Sequence, residues 1–358
     1  MDRAREEMRS TPGVERARPT PIVVGNRTIG DGRTFLIADL GSNHNQDLRL
    51  ALESIDAAAE AGADAVKFQS LQLKDLYLEP GPEVRELYAR IDLSEDWYAA
   101  LQERCRQRGV VFFSSPTYLG AVELLESLGV EMYKLASAQV GTFPQIVSRV
   151  AGTGKPVILS TGLVTYGELE GCIRQFAWAG NPRFVVLHCN AVYPAPYSLV
   201  NLPQMQVYRD MFGCLVGYSD HTGDSHAALA AVARGASVIE KHFTLSRAIA
   251  TPDTVVAMEP AEYARMTAGI RAVEQALVPQ ARLALEPEEA AFKETLRYRL
   301  VLARPKRAGE AFVPADFRYL RHPSGVDCRD EATVLARFAA GRDLPAGGLL
   351  EWSMLAGR

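Results

Sequence analysis

Three of the seven lysines in this chain, Lys67, Lys134 and Lys241, stand at the ends of short apolar runs. Other polar residues end such runs too: Asp39 with Asn43 and His44, Gln69, Ser137 with Gln139, Ser160, Asn190 with Tyr193, Ser219 with His221, and Glu240 with His242. A single lysine in such a place more often snorkels to water. Three at one rim, beside Ser137, Ser160 and Ser219, point to a site for a phosphate or carboxylate. The remaining cations are almost all arginine, so lysine is kept where a compact ammonium is useful. A lone histidine at a strand end is usually structural. His221 and His242 end neighbouring runs, and such a pair can share one divalent ion with water and substrate oxygens in the other positions. That open arrangement suits Lewis-acid catalysis. His44 and His188 read as further rim residues, and His226 as a helix-start residue.

These side chains need a scaffold that brings eight strand ends together. Apolar runs rich in β-branched and aromatic residues occur at 35–40, 65–69, 110–114, 132–136, 156–160, 184–188, 214–219 and 238–243. Helical spacing follows each, near 47–62, 95–108, 119–128, 143–153, 166–180, 202–212, 225–234 and 260–276. The second interval is longer, with a loop read over 71–94. This alternation predicts a parallel sheet covered by helices. Eight units in this length fit an α/β fold of the (β/α)8 TIM-barrel type, whose active sites lie at the strand C-termini. A doubly wound open sheet is disfavoured, because no Gly-x-Gly-x-x-Gly follows the first strand. Ahead of the barrel, 1–20 reads as a disordered leader, and the short runs around Gly25-Asn26 as a hairpin. The barrel is expected over 21–280, a helix-prone linker over 281–296, and a small β-rich module over 297–358.

The chain has 358 residues, 39 Lys+Arg against 43 Asp+Glu, for a net charge of −4. That balance argues against a nucleic-acid partner. No apolar run reaches the length of a membrane span. Five scattered cysteines without a C-x-x-C pair suggest free thiols in a reducing cytoplasm.

The sequence resembles the sialic-acid synthase family, which makes N-acetylneuraminate and related nonulosonic acids. The resemblance rests on Ile37-Ala-Asp-Leu-Gly-Ser-Asn-His-Asn, Val66-Lys-Phe-Gln, Phe113-Ser-Ser-Pro, Tyr133-Lys-Leu-Ala-Ser, Leu159-Ser-Thr-Gly, Leu187-His-Cys-Asn-Ala-Val-Tyr-Pro, Gly217-Tyr-Ser-Asp-His-Thr and Glu240-Lys-His-Phe. It runs from about residue 21 to the C-terminus. It implies condensation of phosphoenolpyruvate with an aldehyde sugar, helped by Mn²⁺ or Mg²⁺. Lys67, Lys134, Ser137, Ser160 and Ser219 match positions that hold phosphoenolpyruvate, and His221 and His242 the metal ligands. Tyr193 and Asp253 match positions that touch the sugar, and Asn43, Gln69 and Asn190 are placed beside them on the acceptor side. The tail resembles the family's antifreeze-like (SAF) domain, which implies a domain-swapped homodimer with the tail over the partner's barrel.

Four positions depart from the family pattern. Asp39 replaces a glutamate and keeps a carboxylate. Gln139 replaces a glutamate and loses an acid–base group. Ala191 stands where Asn or Ser is usual. In the tail, His322 replaces the sugar-reaching arginine, with Arg321 just before it. All four lie on the acceptor side or at proton-handling groups, with Asp39, Gln139, His221 and His242 as the expected catalytic set. Enolpyruvyl transfer on the same donor, or an inactive ligand-binding relative, are the alternatives.

Overall fold

The computed structural model describes residues 19–358. The leader read over 1–20 lies, but for its last two residues, outside the described residues. The chain divides between Val278 and Pro279 into two compact units.

The first unit opens on an antiparallel hairpin, β1 (Ile22–Val24) and β2 (Arg27–Ile29), closed by the two-residue Gly25-Asn26 turn. Eight parallel strands follow: β3 (Phe35–Gly41), β4 (Ala65–Ser70), β5 (Val111–Pro116), β6 (Tyr133–Leu135), β7 (Val157–Ser160), β8 (Phe184–His188), β9 (Leu215–Asp220) and β10 (Val238–His242). Their order is β5-β4-β3-β10-β9-β8-β7-β6, and β5 and β6 lie side by side at the remaining seam. This is a (β/α)8 TIM barrel. All eight expected runs form strands, and the eight expected helices form within a few residues of their predicted limits.

Strand geometry sends alternate side chains to opposite faces, and the chain uses this to build two cores. The outward face packs against the helices around Leu36, Val66, Phe112 and Val186. The inward face forms a separate cluster that includes Phe35, Val111, Leu215 and Val238. Ile22, Val24 and Ile29 belong to that inner cluster, so the hairpin plugs the N-terminal end of the barrel. Gly217 is required inside it. A Cβ there would lie 2.6 Å from Leu187 Cδ2 and 2.9 Å from Val238 Cβ.

The segment read as a loop over 71–94 instead contains two helices, Leu73–Leu76 and Pro82–Ile91. Pro82 sits in the first turn of the second, where its missing N–H costs nothing. Tyr88 and Ile91 fold back on Leu71 in a small separate core. The apolar stripe is too short to stand out from the charged residues between.

The second unit carries two α-helices, Pro287–Thr295 and Glu331–Arg337, and two small antiparallel sheets. One pairs β11 (Tyr298–Leu302) with β12 (Phe317–Arg321), the other β13 (Phe338–Ala340) with β14 (Leu355–Gly357). Its core includes Leu300, Leu302, Phe312, Val326 and Leu350.

Candidate active site

Two residues beyond the inner apolar layer, the same period-2 alternation turns polar. Asp39 follows Ile37, Lys67 follows Ala65, Lys134 follows Met132, Ser160 follows Ile158, Ser219 follows Gly217 and Glu240 follows Val238. These side chains floor a cavity of about 230 Å³ at the strand C-termini. Gln69, Ser137, Cys189, Asn190, Ala191, Tyr193, His221 and His242 stand in its wall. Eleven of the predicted site residues therefore meet in one place.

Lys67 Nζ lies 2.7 Å from Asp39 Oδ2 and 3.9 Å from Glu240 Oε2. Lys134 Nζ donates to both oxygens of Glu240, at 2.5 and 2.7 Å, and Ser219 Oγ donates to Oε1 at 2.9 Å. Burial opposes the charge on Lys67, but Asp39 and Glu240 outweigh it and its pKa is raised. Lys134 ends up lowered, because burial outweighs the same Glu240 carboxylate. Glu240 is held below the usual carboxylate range: burial pushes it up, and Lys134 and Lys67 pull it down further. The floor is thus a pair of ammoniums balanced by two carboxylates. Ser137 Oγ accepts the Gly162 N–H at 2.9 Å. A Cβ on Gly162 would sit 3.1 Å from both Ser137 Oγ and Cys189 Sγ, so a side chain there would need those neighbours to give by a few tenths of an ångström.

His221 and His242 have ring centroids 5.4 Å apart, and Tyr193 stacks on His221 at 4.2 Å. His221 Nδ1 faces the Asn190 carbonyl at 2.6 Å, so Nδ1 carries the hydrogen and Nε2 keeps its lone pair. Burial, then the neighbouring His242, lowers the His221 pKa to about 3. His242 Nδ1 lies 3.6 Å from both Asp39 Oδ2 and Asp253 Oδ2 without a hydrogen bond. Asp39 Oδ1 is buried and unpartnered too.

The structure places the other predicted residues elsewhere. Lys241 does not join the anion site: it points to the outer face and pairs with Asp220 at 3.1 Å. Gln139 lies in the short helix Ser137–Thr142 and does not line the cavity. Asn43 does not line it either. Its Nδ2 donates to the Phe243 carbonyl at 2.8 Å, and its Oδ1 accepts from Thr251. Asp253 does not line the cavity but lies behind it, with its Oδ2 3.6 Å from His242 Nδ1. Arg321 and His322 belong to the second unit: Arg321 lies over the Tyr298 ring at 5.3 Å, and His322 Nδ1 is 3.0 Å from the Ser324 carbonyl. Glu240 was missed as a site residue, although it is the hub of the floor.

His44 is almost fully buried against the edge of Trp97. Burial, only partly offset by a backbone hydrogen bond at Ile91, lowers its pKa to about 4. The unfolded chain therefore takes up a proton below pH 6.5 that the native state refuses until about pH 4. Stability rises with pH through that window. Between pH 7 and 5, His44 alone is expected to cost on the order of 2 kcal/mol of folding free energy. Denaturant melts of the parent and His44→Gln check this; parallel pH dependence in the two would reject it.

Fold and cavity together define a (β/α)8-barrel enzyme with a lysine-floored, histidine-flanked mouth. The family model described as NeuB family matches residues 54–281. N,N'-diacetyllegionaminic acid synthase of Campylobacter jejuni is 33% identical over 86% of this chain and 96% of its own length. Pseudaminic acid synthase of Helicobacter pylori is 34% identical over 85% of this chain and 93% of its own. The crystal structure of N-acetylneuraminic acid synthetase from Leptospira borgpetersenii, in complex with citrate, superposes with a TM-score of 0.71 at 32% identity, covering 77% of this chain and 96% of that one. The chain belongs to the NeuB family, the sialic-acid synthases, and is a C–C-bond-forming transferase.

Proposed function

We propose that this protein condenses phosphoenolpyruvate with the open-chain aldehyde of an amino sugar, giving a 2-keto-3-deoxy nonulosonic acid and phosphate. The observation that carries this reading is the cavity floor, where buried Lys67 and Lys134 stand with Ser137, Ser160 and Ser219 below two histidines. Lys134 spends two of its three N–H donors on Glu240, which leaves one for a donor oxygen. The π electrons of the enol form the bond from C3 to the aldehyde carbon, and the aldehyde oxygen takes up a proton. Water adds at C2 and gives up a proton. The C2–O bond to phosphate then breaks with its electron pair on phosphate, and loss of the C2 hydroxyl proton leaves the ketone. Asp39, whose Oδ2 lies between Lys67 and His242 and whose Oδ1 is buried without a partner, is placed to hold one of these protons.

The residues present fit a divalent ion, Mn²⁺ or Mg²⁺. His221 keeps Nε2 free, its backbone partner fixes the tautomer, and His242 Nδ1 lacks a partner. Among the described residues no group of three or more His, Cys, Asp or Glu side chains is placed to hold an ion; His221 and His242 would hold it as a pair. Such an ion supplies Lewis-acid polarisation of the aldehyde oxygen when bound. An inactive relative is the weaker reading, because Gln139, where a family carboxylate is missing, lies off the cavity. The test is phosphate release from phosphoenolpyruvate with Mn²⁺ across a panel of amino-sugar aldehydes, with product masses. Absence of release with every sugar would sink the proposal. His221→Ala and His242→Ala are expected to abolish metal-dependent turnover while the melting temperature holds.

The second unit is proposed to be an antifreeze-like module shared between subunits of a homodimer, with His322 or Arg321 reaching the partner's acceptor. A truncated chain of residues 1–285 is then expected to bind phosphoenolpyruvate normally but turn over the acceptor poorly. Acceptor turnover that falls in His322→Ala but not in Arg321→Ala would identify His322 as the contact, and the reverse would identify Arg321. A truncated barrel that is monomeric and fully active would reject the shared site. Among the described residues no helix is long and apolar enough to cross a membrane. All five cysteines are free, which supports a reducing cytoplasm.

A further inference from the structure

Behind the strand wall that carries the two histidines lies a second buried polar group that faces away from the cavity. Lys241 sits between Glu240 and His242 on β10 but points to the opposite face. Its ammonium lies 3.1 Å from Asp220 Oδ2 and donates to the carbonyls of Thr222 at 2.6 Å and Asp224 at 3.1 Å. Asp220 Oδ1 in turn accepts the Thr222 N–H at 2.9 Å. Neither side chain has any exposure. Every one of these contacts falls on the five residues 220–224, and His221 is among them. On the cavity side, His221 Nδ1 is tied to Asn190, and the His221 carbonyl accepts the Ala195 N–H at 2.8 Å. The backbone around His221 is thus held from behind by a charge and from in front by two hydrogen bonds.

Burying an ammonium and a carboxylate together is a weak source of stability. A well-packed apolar pair would serve folding at least as well. What the ion pair provides is direction, because an ammonium with three donors holds three acceptors in a set geometry. We infer that Lys241 and Asp220 are positioning residues, which close the 220–224 turn so that the His221 imidazole presents Nε2 to the reacting groups. The inference rests on the proposed role of His221 for what that presentation achieves. The placement itself stands independently of it.

Lys241→Met alone would leave Asp220 charged and unpaired in the core, and that variant can fail to fold. The paired variant Lys241→Met/Asp220→Asn removes both charges and keeps the acceptor for Thr222 N–H. Protein labelled with ¹⁵N-histidine reports the His221 ring directly. In the parent, the His221 Nδ1–H is expected to exchange slowly with solvent. In the paired variant, its exchange is expected to speed up by at least tenfold while phosphoenolpyruvate affinity, measured by calorimetry without metal, changes less than twofold. Mn²⁺ affinity is expected to fall 10- to 100-fold, the usual effect of losing a group that orients a metal ligand. A folded paired variant with parental His221 exchange overturns the inference. If the parent itself binds no Mn²⁺, the metal role of His221 fails, and the exchange rate still decides the positioning role.

Discussion

Lys134→Met is expected to weaken phosphoenolpyruvate binding by on the order of 2–5 kcal/mol, a loss of roughly 30- to several-thousand-fold in affinity. The size follows from where the ammonium stands. It is almost fully buried, it bonds both oxygens of Glu240, and it faces a cavity of about 230 Å³ with few other cations. A methionine keeps the length and apolar stem and removes only the charge and donors. The same change leaves Glu240 ionised in the barrel with only Ser219 and the more distant Lys67 to face it. Breaking a buried pair from one side costs about 3–5 kcal/mol of stability, so the single variant mixes two effects. Lys134→Met/Glu240→Gln separates them. Its melting temperature should recover, while its phosphoenolpyruvate affinity should not. Lys67→Met should behave alike, with Asp39 as the stranded carboxylate. Calorimetry showing parental affinity in both lysine variants would remove the donor site from this cavity.

The barrel was legible because its signals repeat. Each strand is a short apolar run, each helix has its own spacing, and eight such units leave little choice of fold. The site was legible at the level of strand ends and less so at the level of single side chains. Lys67 and Lys134 reach the cavity, and Lys241 does not, although all three sit on the same kind of run. The difference is one residue of register. On β10, Glu240 and His242 share the inner face, and Lys241 takes the outer one. A strand buried on both faces has no polar–apolar alternation to reveal which face is which. The inner face became recognisable only from the side chains that touch the hairpin plug. Glu240 was overlooked for a related reason: a carboxylate looks out of place in an anion site until its partners are known. Gln139 shows the opposite error. It follows Ser137 by two residues, which suggests one face of a strand, but β6 ends at Leu135 and the chain turns helical at Ser137. The two-residue spacing then carries Gln139 off the cavity.

Asp39→Asn is expected to lower turnover by 10²- to 10⁴-fold, the range for loss of a placed acid–base group. The amide keeps the shape of the carboxylate but cannot exchange a proton near neutral pH. Three features make Asp39 the group to test. It lies 2.7 Å from Lys67, its Oδ1 is buried without a partner, and His242 approaches from the other side at 3.6 Å. An amide there no longer shares the Lys67 charge, so phosphoenolpyruvate should bind as well as before or more tightly. Turnover and affinity should therefore move separately. A merely structural role would instead lower both together with the melting temperature. Asp39→Glu keeps the carboxylate, and it should retain turnover within about tenfold if the carboxylate is what matters. Single-turnover experiments with preformed enzyme and phosphoenolpyruvate, started by the aldehyde, isolate the step concerned. An Asp39→Asn enzyme with parental turnover would pass the proton transfer to another group, and the groups left at that corner are His242 and Asp253.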